Sequence, residues 1–276
     1  MNRYTIFGHN GFIGSYLKVE AQNRGYDVIL PDYNEIPNVY LGNIIYAAGV
    51  TGDFFSRPSQ TVNAHVCLLN TILQKGDFRS ICYLSSTRVY GNNTLQKTDE
   101  ETPLMVHPQD PSDLYNLSKL MGESICLTKY PERTKIVRIS NVFGLEMGDN
   151  SFLGNIFSHI SANKEIVIHD YPESCKDYIF VQNVCTLLFD IVNYGKNTIY
   201  NVASGRNVTH NTITETLRKM GKHVSFSNTG SMKLFPVIDN KKIILEFHPN
   251  FYPIEMYIQE LIISEKIDGY RSDYSI

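Results

Sequence analysis

Gly8, Gly11 and Gly14 stand three apart between a β-branched and aromatic run, Arg3 to Phe7 (RYTIF), and a stretch from Phe12 to Arg24 that places Ile13, Leu17 and Ala21 on one helical face. No other short stretch restricts the fold as much. A glycine turn between a strand and a helix lets the backbone approach a ligand and leaves the first N–H groups of the helix facing it, a setting suited to a pyrophosphate. The spacing is G-x-x-G-x-x-G rather than G-x-G-x-x-G, and glycines also serve any tight strand-to-helix turn. The next segment of the chain favours the dinucleotide reading. Gly25 ends the helix, Tyr26 to Leu30 (YDVIL) predicts a second strand, and the strand closes on Pro31 and Asp32. An acid about 20 residues past the glycines is placed to accept hydrogen bonds from ribose hydroxyls. Asp32 would repel a 2′-phosphate, so it favours NAD(H) over NADP(H).

Ser80 to Leu84 (SICYL) predicts a buried strand ending in Ser85 and Ser86, which sets a hydroxyl at the carboxyl edge of a parallel sheet, where ligands of such folds bind. Tyr115 and Lys119 lie four apart in DLYNLSKLMGES, a proline-free helical stretch, so both project from one face. A tyrosine titrates near pH 10, and exchanging a proton at neutral pH requires positive charge beside its phenolate. Lys119 and an oxidised nicotinamide can supply it. Alone, a Tyr-x-x-x-Lys pair is common on surface helices; in order with the glycines and the serine strand it reads as catalytic.

These motifs resemble those of the extended short-chain dehydrogenases/reductases, in the NAD-dependent nucleotide-sugar epimerase/dehydratase branch typified by UDP-galactose 4-epimerase. The resemblance extends over nearly all of the chain. Ser85 to Gly91 (SSTRVYG) is similar to the family's SSxxVYG, which implies Ser86 as the catalytic hydroxyl. Asn63 in TVNAHV resembles the family's helix asparagine, and Ala47-Ala48-Gly49 the strand end beneath the nicotinamide. Arg138 to Gly144 (RISNVFG) resembles the segment that packs on the cofactor and offers Asn141 to substrate phosphates; Lys176 to Val181 (KDYIFV) resembles RDYIHV, and Tyr200 to Gly205 (YNVASG) resembles YNVGSG. The resemblance implies Ser86, Tyr115 and Lys119 as catalytic residues. It implies a cofactor site of Gly8, Asn10, Gly11, Phe12, Ile13, Gly14, Asp32, Ala47, Ala48, Gly49, Asn63, Ser85, Tyr115, Lys119 and Ile139. Thr87, Arg88, Asn141, Lys176, Arg206 and Lys233 are the candidates for the substrate, a nucleotide-diphosphate sugar.

The departures narrow the chemistry. About a dozen residues separate Asp32 from the next strand, Asn43 to Ala48, where the family usually fits another strand and helix, so the adenine side is abbreviated. Thr87-Arg88 stands where sugar 4,6-dehydratases resemble one another in carrying Asp-Glu, and elimination of water needs an acid and a base there. Arg88 also replaces the cysteine of GDP-fucose synthases. Lys176 replaces the family arginine and gives charge without a two-pronged fork. The expected activity is an NAD(H)-dependent oxidoreductase at sugar C4, either epimerase or 4-keto reductase. The alternatives are a 4,6-dehydratase using Asp99 or Glu100, and a dinucleotide-sensing protein without turnover.

The alternation of strand and helix up to about Phe143 predicts an α/β chain, a Rossmann-type doubly wound parallel sheet with a small C-terminal α/β substrate lobe. Residues 1–145 are expected to form the NAD-binding domain, with 177–200 returning to it, and residues 146–176 and 201–276 the lobe. Within the lobe the pattern predicts a strand at Glu165 to His169, helices at Asn207 to Gly221 and Pro253 to Ile263, and a loose tail from Asp268. The apolar positions of 58–75 and 114–127 are wide enough for more than one face, and the resemblance implies a homodimer through these two helices. The 25 basic and 28 acidic residues leave a formal charge of -3 without a basic stripe, which argues against nucleic acid. No apolar run approaches the roughly 18 residues that span a membrane, and the chain starts directly on a strand, so the expected location is cytoplasmic. Cys67, Cys82, Cys126, Cys175 and Cys185 lack C-x-x-C spacing and read mostly as buried thiols; the eight histidines show no metal-ligand spacing, and His9 is read as the only one near the chemistry.

Overall fold

Short runs rich in Ile, Val, Tyr and Phe supply the strands of the computed structural model, which describes residues 2–149, 151–227, 229 and 232–272. In chain order the elements are β1 (Arg3–Phe7), α1 (Phe12–Asn23), β2 (Asp27–Ile29), β3 (Asn43–Tyr46), α2 (Pro58–Val62), a π-helical turn (Asn63–Cys67), α3 (Leu68–Lys75), β4 (Ser80–Ser86), β5 (Lys97–Thr98) and α4 (Leu114–Lys129). Then come β6 (Thr134–Ile139), β7 (Asn141–Phe143), α5 (Phe152–Ser161), β8 (Ile166–Ile168), β9 (Cys175–Phe180), α6 (Val181–Tyr194) and β10 (Ile199–Val202). The chain continues with β11 (Asn207–Thr209), α7 (His210–Lys219), β12 (Val224–Phe226), β13 (Val237–Ile238), α8 (Lys241–Phe247) and α9 (Ile254–Ser272).

Six strands form one parallel sheet in the order β10-β6-β4-β3-β1-β2. From β1 the chain moves outward to β2 and then to the opposite side through β3. The switch point therefore lies between β1 and β3, beyond whose carboxyl ends open α/β sheets bind ligands. β2 is the edge, and the connection from Asp32 to β3 contains no helix or further strand, as the spacing predicts. One face of the sheet is covered by Leu17 and Ala21 of α1, Val184 and Leu188 of α6 and Ile243 of α8. Leu69, Ile72 and Leu73 of α3 and Cys126 of α4 pack with β-strand residues in a second cluster. The sheet is thus wrapped on both sides, which is why its strands are rich in Ile, Val and Tyr.

A third cluster joins Phe157 of α5, Ile168 of β8, Ile213 and Leu217 of α7 and Ile258 of α9, forming the small lobe around the three-stranded β11-β9-β7 sheet and the β12-β8 pair. Three expectations need correcting here. Asn207–Thr209 is a strand antiparallel to β9, not the first turn of a helix, and the Thr209 hydroxyl caps α7 by accepting from the Thr212 N–H at 3.1 Å. Val208 and Thr209 suit a strand once β9 is there to pair with them, and Thr209 is also a preferred N-cap, so the helix begins only at His210. α9 continues through Ser272 instead of giving way to a tail at Asp268, while residues 273–276 lie outside the described residues. Finally, Ile243 packs under the central sheet, so the run 201–276 is not confined to the lobe. Among the described residues no helix is long and apolar enough to cross a membrane.

Candidate active site at the sheet switch point

The glycine loop fits a pyrophosphate in backbone terms. Gly8 has φ +84°, and a Cβ there would fall 2.5 Å from the Ala48 nitrogen, so the loop lies directly against the end of β3. A Cβ at Gly14 would fall 2.0 Å from the Gly8 oxygen, so α1 can approach the loop only with glycine at that position. Gly11 caps α1 without a side-chain bond, leaving Phe12, Ile13 and Gly14 to present their N–H groups. His9 Nδ1 is buried in the same loop without a protein partner. Asn10 and Asp32 are exposed, and Ala47 and Ala48 follow β3 on the other side of the switch point. Asn63 donates from Nδ2 to the Tyr33 hydroxyl at 3.0 Å, which ties the shortened connection after Asp32 to the π-helical turn. These residues fit a dinucleotide, with the loop for the pyrophosphate and Asp32 for a ribose.

The chemistry-bearing groups come from β4 and α4. Side chains alternate across a strand, so Ser85 and Ser86 point to opposite faces. Ser85 is buried and donates to Glu123 Oε1 at 2.5 Å, so of the pair only Ser86 serves the cleft. The Ser86 Oγ accepts from the Arg88 N–H at 3.1 Å, and its side chain works to lower the pKa of Tyr115. Tyr115 is 7% exposed and Lys119 5%. The Lys119 ammonium donates to the Leu84 carbonyl at 2.9 Å and sits 5.8 Å from the Tyr115 ring centre. Burial drives its pKa down to about 7, opposed by the charge of Glu123. Tyr115 moves the other way: burial raises it, against the lowering effects of the Ser86 side chain and the charge of Arg88. At neutral pH the site therefore holds a protonated tyrosine beside a lysine whose proton affinity burial has lowered.

Arg88 lies over both Phe54, at 4.7 Å, and Tyr115, at 5.4 Å, and donates to the Ser112 carbonyl at 3.3 Å. Its guanidinium is thus packed on two aromatic rings rather than free in solvent. Lys176 of β9 has its pKa lowered by burial first and then by the charges of Lys233 and Arg88, so positive charge gathers around it. A concentration of positive charge there suits a diphosphate. The other substrate candidates are placed differently. Thr87 is 3% exposed with its hydroxyl directed at the Ile139 carbonyl, 3.4 Å away; Ile139 itself is the buried end of β6 beside Ser86. Asn141 donates to the Asp177 carbonyl at 2.9 Å, and Arg206 is held by both oxygens of Glu255 at 2.9 and 2.8 Å.

Two groups carry no signal in the sequence. His65, fully buried, stands edge-on to Tyr115 with ring centres 5.4 Å apart, so His9 is not the only histidine at the site. A π-helical turn shifts the face on which a residue falls, and that shift hides His65 from a 3.6-residue pattern. His210, stacked on Phe152 at 4.1 Å, lies 3.7 Å from Asp170; burial holds its pKa at about 4. Cys67, read as buried, is exposed on the outer side of the π-helical turn. Among the described residues no group of three or more His, Cys, Asp or Glu is arranged for a metal.

Residues 41–203 match the model of the NAD dependent epimerase/dehydratase family. The chain is 25% identical to a GDP-6-deoxy-D-mannose reductase of Pseudomonas aeruginosa over 74% of its own length and 75% of the relative's. It is 23% identical to a dTDP-4-dehydro-6-deoxyglucose reductase of Escherichia coli over 75% and 66%. Among solved structures it is similar to RMD from Pseudomonas aeruginosa complexed with NADPH, with a TM-score of 0.79, 20% identity and coverage of 97% and 100%. It is likewise similar to the UDP-glucose 4-epimerase of Thermotoga maritima with UDP-glucose, with a TM-score of 0.77, 18% identity and coverage of 98% and 99%.

Proposed function

The chain belongs to the NAD dependent epimerase/dehydratase family, with NAD(H) as its cofactor, and from that premise we propose that it is a nucleotide-sugar 4-keto reductase. The observation that carries the reading is the buried Tyr115, whose pKa burial raises so that it is protonated at neutral pH, with the Lys119 ammonium 5.8 Å from its ring centre. That arrangement is ready to give a proton, which is what reduction of a carbonyl requires of the protein.

When bound, the cofactor supplies the hydride that the sugar carbon receives. The remaining work falls to side chains. Arg88, Lys176 and Lys233 hold the diphosphate and thereby aim the sugar at the cleft. Ser86 hydrogen-bonds the carbonyl oxygen as negative charge develops on it. Tyr115 delivers its proton to that oxygen, and Lys119, as ammonium, stabilises the phenolate left behind. Gly8 to Gly14 and Asp32 bind the pyrophosphate and a ribose. Epimerisation would use the same groups in both directions and differs only in whether the keto sugar turns over in the pocket. Dehydration is disfavoured: Glu100 is buried, accepts from the Asn201 N–H at 2.8 Å and faces Lys242, while Asp99 accepts from Thr102 and Glu101 in its own turn. Two acids engaged in this way are poor candidates for moving protons at a sugar.

The reading is tested by acid-quenching freshly purified protein to identify any released dinucleotide, then supplying NADH with dTDP-4-dehydro-6-deoxyglucose. A reductase consumes NADH in step with the keto sugar and exchanges cofactor each cycle. Near-stoichiometric retained NAD together with interconversion of UDP-glucose and UDP-galactose, without net NADH consumption, would instead establish the epimerase.

A further inference from the structure

Reduction by Ser86, Tyr115 and Lys119 leaves His65 unused, although its imidazole is fully buried against the catalytic pair. Its hydrogen bonds determine its state. Ser118 Oγ donates to the Tyr115 carbonyl at 2.8 Å, which commits the only hydroxyl proton. The 2.8 Å contact between that oxygen and His65 Nδ1 therefore has Nδ1–H as donor. Nε2 is left to accept, and it does so from the Val50 N–H at 3.2 Å. The ring is neutral with its proton on Nδ1. Burial and the nearby charge of Lys119 keep it neutral across the working range.

The imidazole therefore spans two parts of the site, with the loop after β3 on one side and the Tyr115–Lys119 turn of α4 on the other. Gly49 gives the measure of how closely they meet. A Cβ there would lie 2.9 Å from His65 Nε2 and 3.4 Å from Lys119 Nζ, so both nitrogens close around the Gly49 backbone. The ring also fixes the phenol plane of Tyr115, meeting it at 86°. We infer that His65 is a positioning residue, which pins the Gly49–Val50 backbone to α4 and so sets the wall against which the nicotinamide end of the cofactor rests. It touches no reacting atom. The inference relies on the reading of Tyr115 and Lys119 as the groups at the nicotinamide end.

Binding of NADH and of ADP-ribose, which lacks the nicotinamide, separates this role from a merely structural one. His65→Phe and His65→Asn each break the span to Val50 and are expected to weaken NADH by about tenfold while leaving ADP-ribose within about twofold. His65→Gln, with one acceptor and one donor, is expected to recover most of the loss. Nitrogen NMR of the wild-type protein should show the His65 proton on Nδ1 and no second protonation down to about pH 5, well below the ordinary histidine pKa. Equal weakening of both ligands, no weakening of NADH, or a proton on Nε2 would overturn the inference; if His65→Phe does not fold, the asparagine variant and the tautomer decide. Lys119→Met keeps the two ideas apart. If it leaves NADH as tight as ADP-ribose binding predicts, the placement of the nicotinamide end is wrong; if it selectively weakens NADH and the His65 variants do not, His65 alone is wrong.

Discussion

At the residue scale the proposed reduction turns on Lys119, whose burial brings its pKa to about 7 while its partner Tyr115 is raised. Below that value Lys119 is an ammonium and stabilises the phenolate that forms as Tyr115 gives up its proton. Above it the charge is lost, and proton delivery loses its support. For reduction of dTDP-4-dehydro-6-deoxyglucose at saturating NADH, kcat/KM is expected to fall about tenfold per pH unit on the alkaline side of roughly pH 7. Glu123 raises the proton affinity of Lys119, so Glu123→Gln should move that limb to lower pH. A limb that stays in place in this variant would show that Lys119 is not the group titrating. Ser86, Tyr115 and Lys119 are legible in the sequence because each sits in a regular element, where spacing specifies a face. His65 is not, because its face is set by the π-helical turn Asn63–Cys67.

At the scale of elements, one buried network holds β4, α4 and β6 in register. Arg138 of β6 pairs with Glu123 of α4 at 2.7 Å, both side chains 5% exposed, and Glu123 also receives the Ser85 hydroxyl. Arg138 donates onward to the Tyr90 hydroxyl at 2.8 Å, which donates to Asn201 of β10 at 2.9 Å. Removing one member leaves a charge buried without its partner. Glu123→Ala should therefore cost about 3–5 kcal/mol in urea unfolding, whereas replacing Glu123 and Arg138 together with Leu and Met should cost much less. Equal losses in the single and double variants would contradict this. The sequence offers Arg138 only as part of a cofactor-packing segment, since a buried ion pair requires knowing which strand stands beside which helix. Asn207–Thr209 is hidden for a related reason: three residues become a strand only because Cys175–Phe180 is there to pair with them. The glycine turn and the strands β1 to β4, by contrast, are legible from local pattern, while β6 and β10 are not read as strands from the sequence.

For the whole molecule, the strand order reverses between β1 and β3, and the glycine loop lies against the end of β3 there, while Arg88 packs on Tyr115 of α4. The outer sides of 58–75 and 114–127 leave Val62 37% and Met121 53% exposed. We propose that these surfaces meet in a homodimer, and a sedimentation experiment at micromolar concentration should show it, with Met121→Glu shifting the protein to monomer. A clean monomer in the wild type would remove the proposal without touching the chemistry. That chemistry is tested most directly by following the label from NADH deuterated at nicotinamide C4 into dTDP-4-dehydro-6-deoxyglucose. Hydride transfer predicts deuterium at sugar C4 in the wild-type product, and proton delivery to the oxygen by Tyr115 predicts that this transfer slows by a factor of at least about 100 in Tyr115→Phe with NADH still bound. No transfer by the wild type, or transfer by Tyr115→Phe at the wild-type rate, would contradict it.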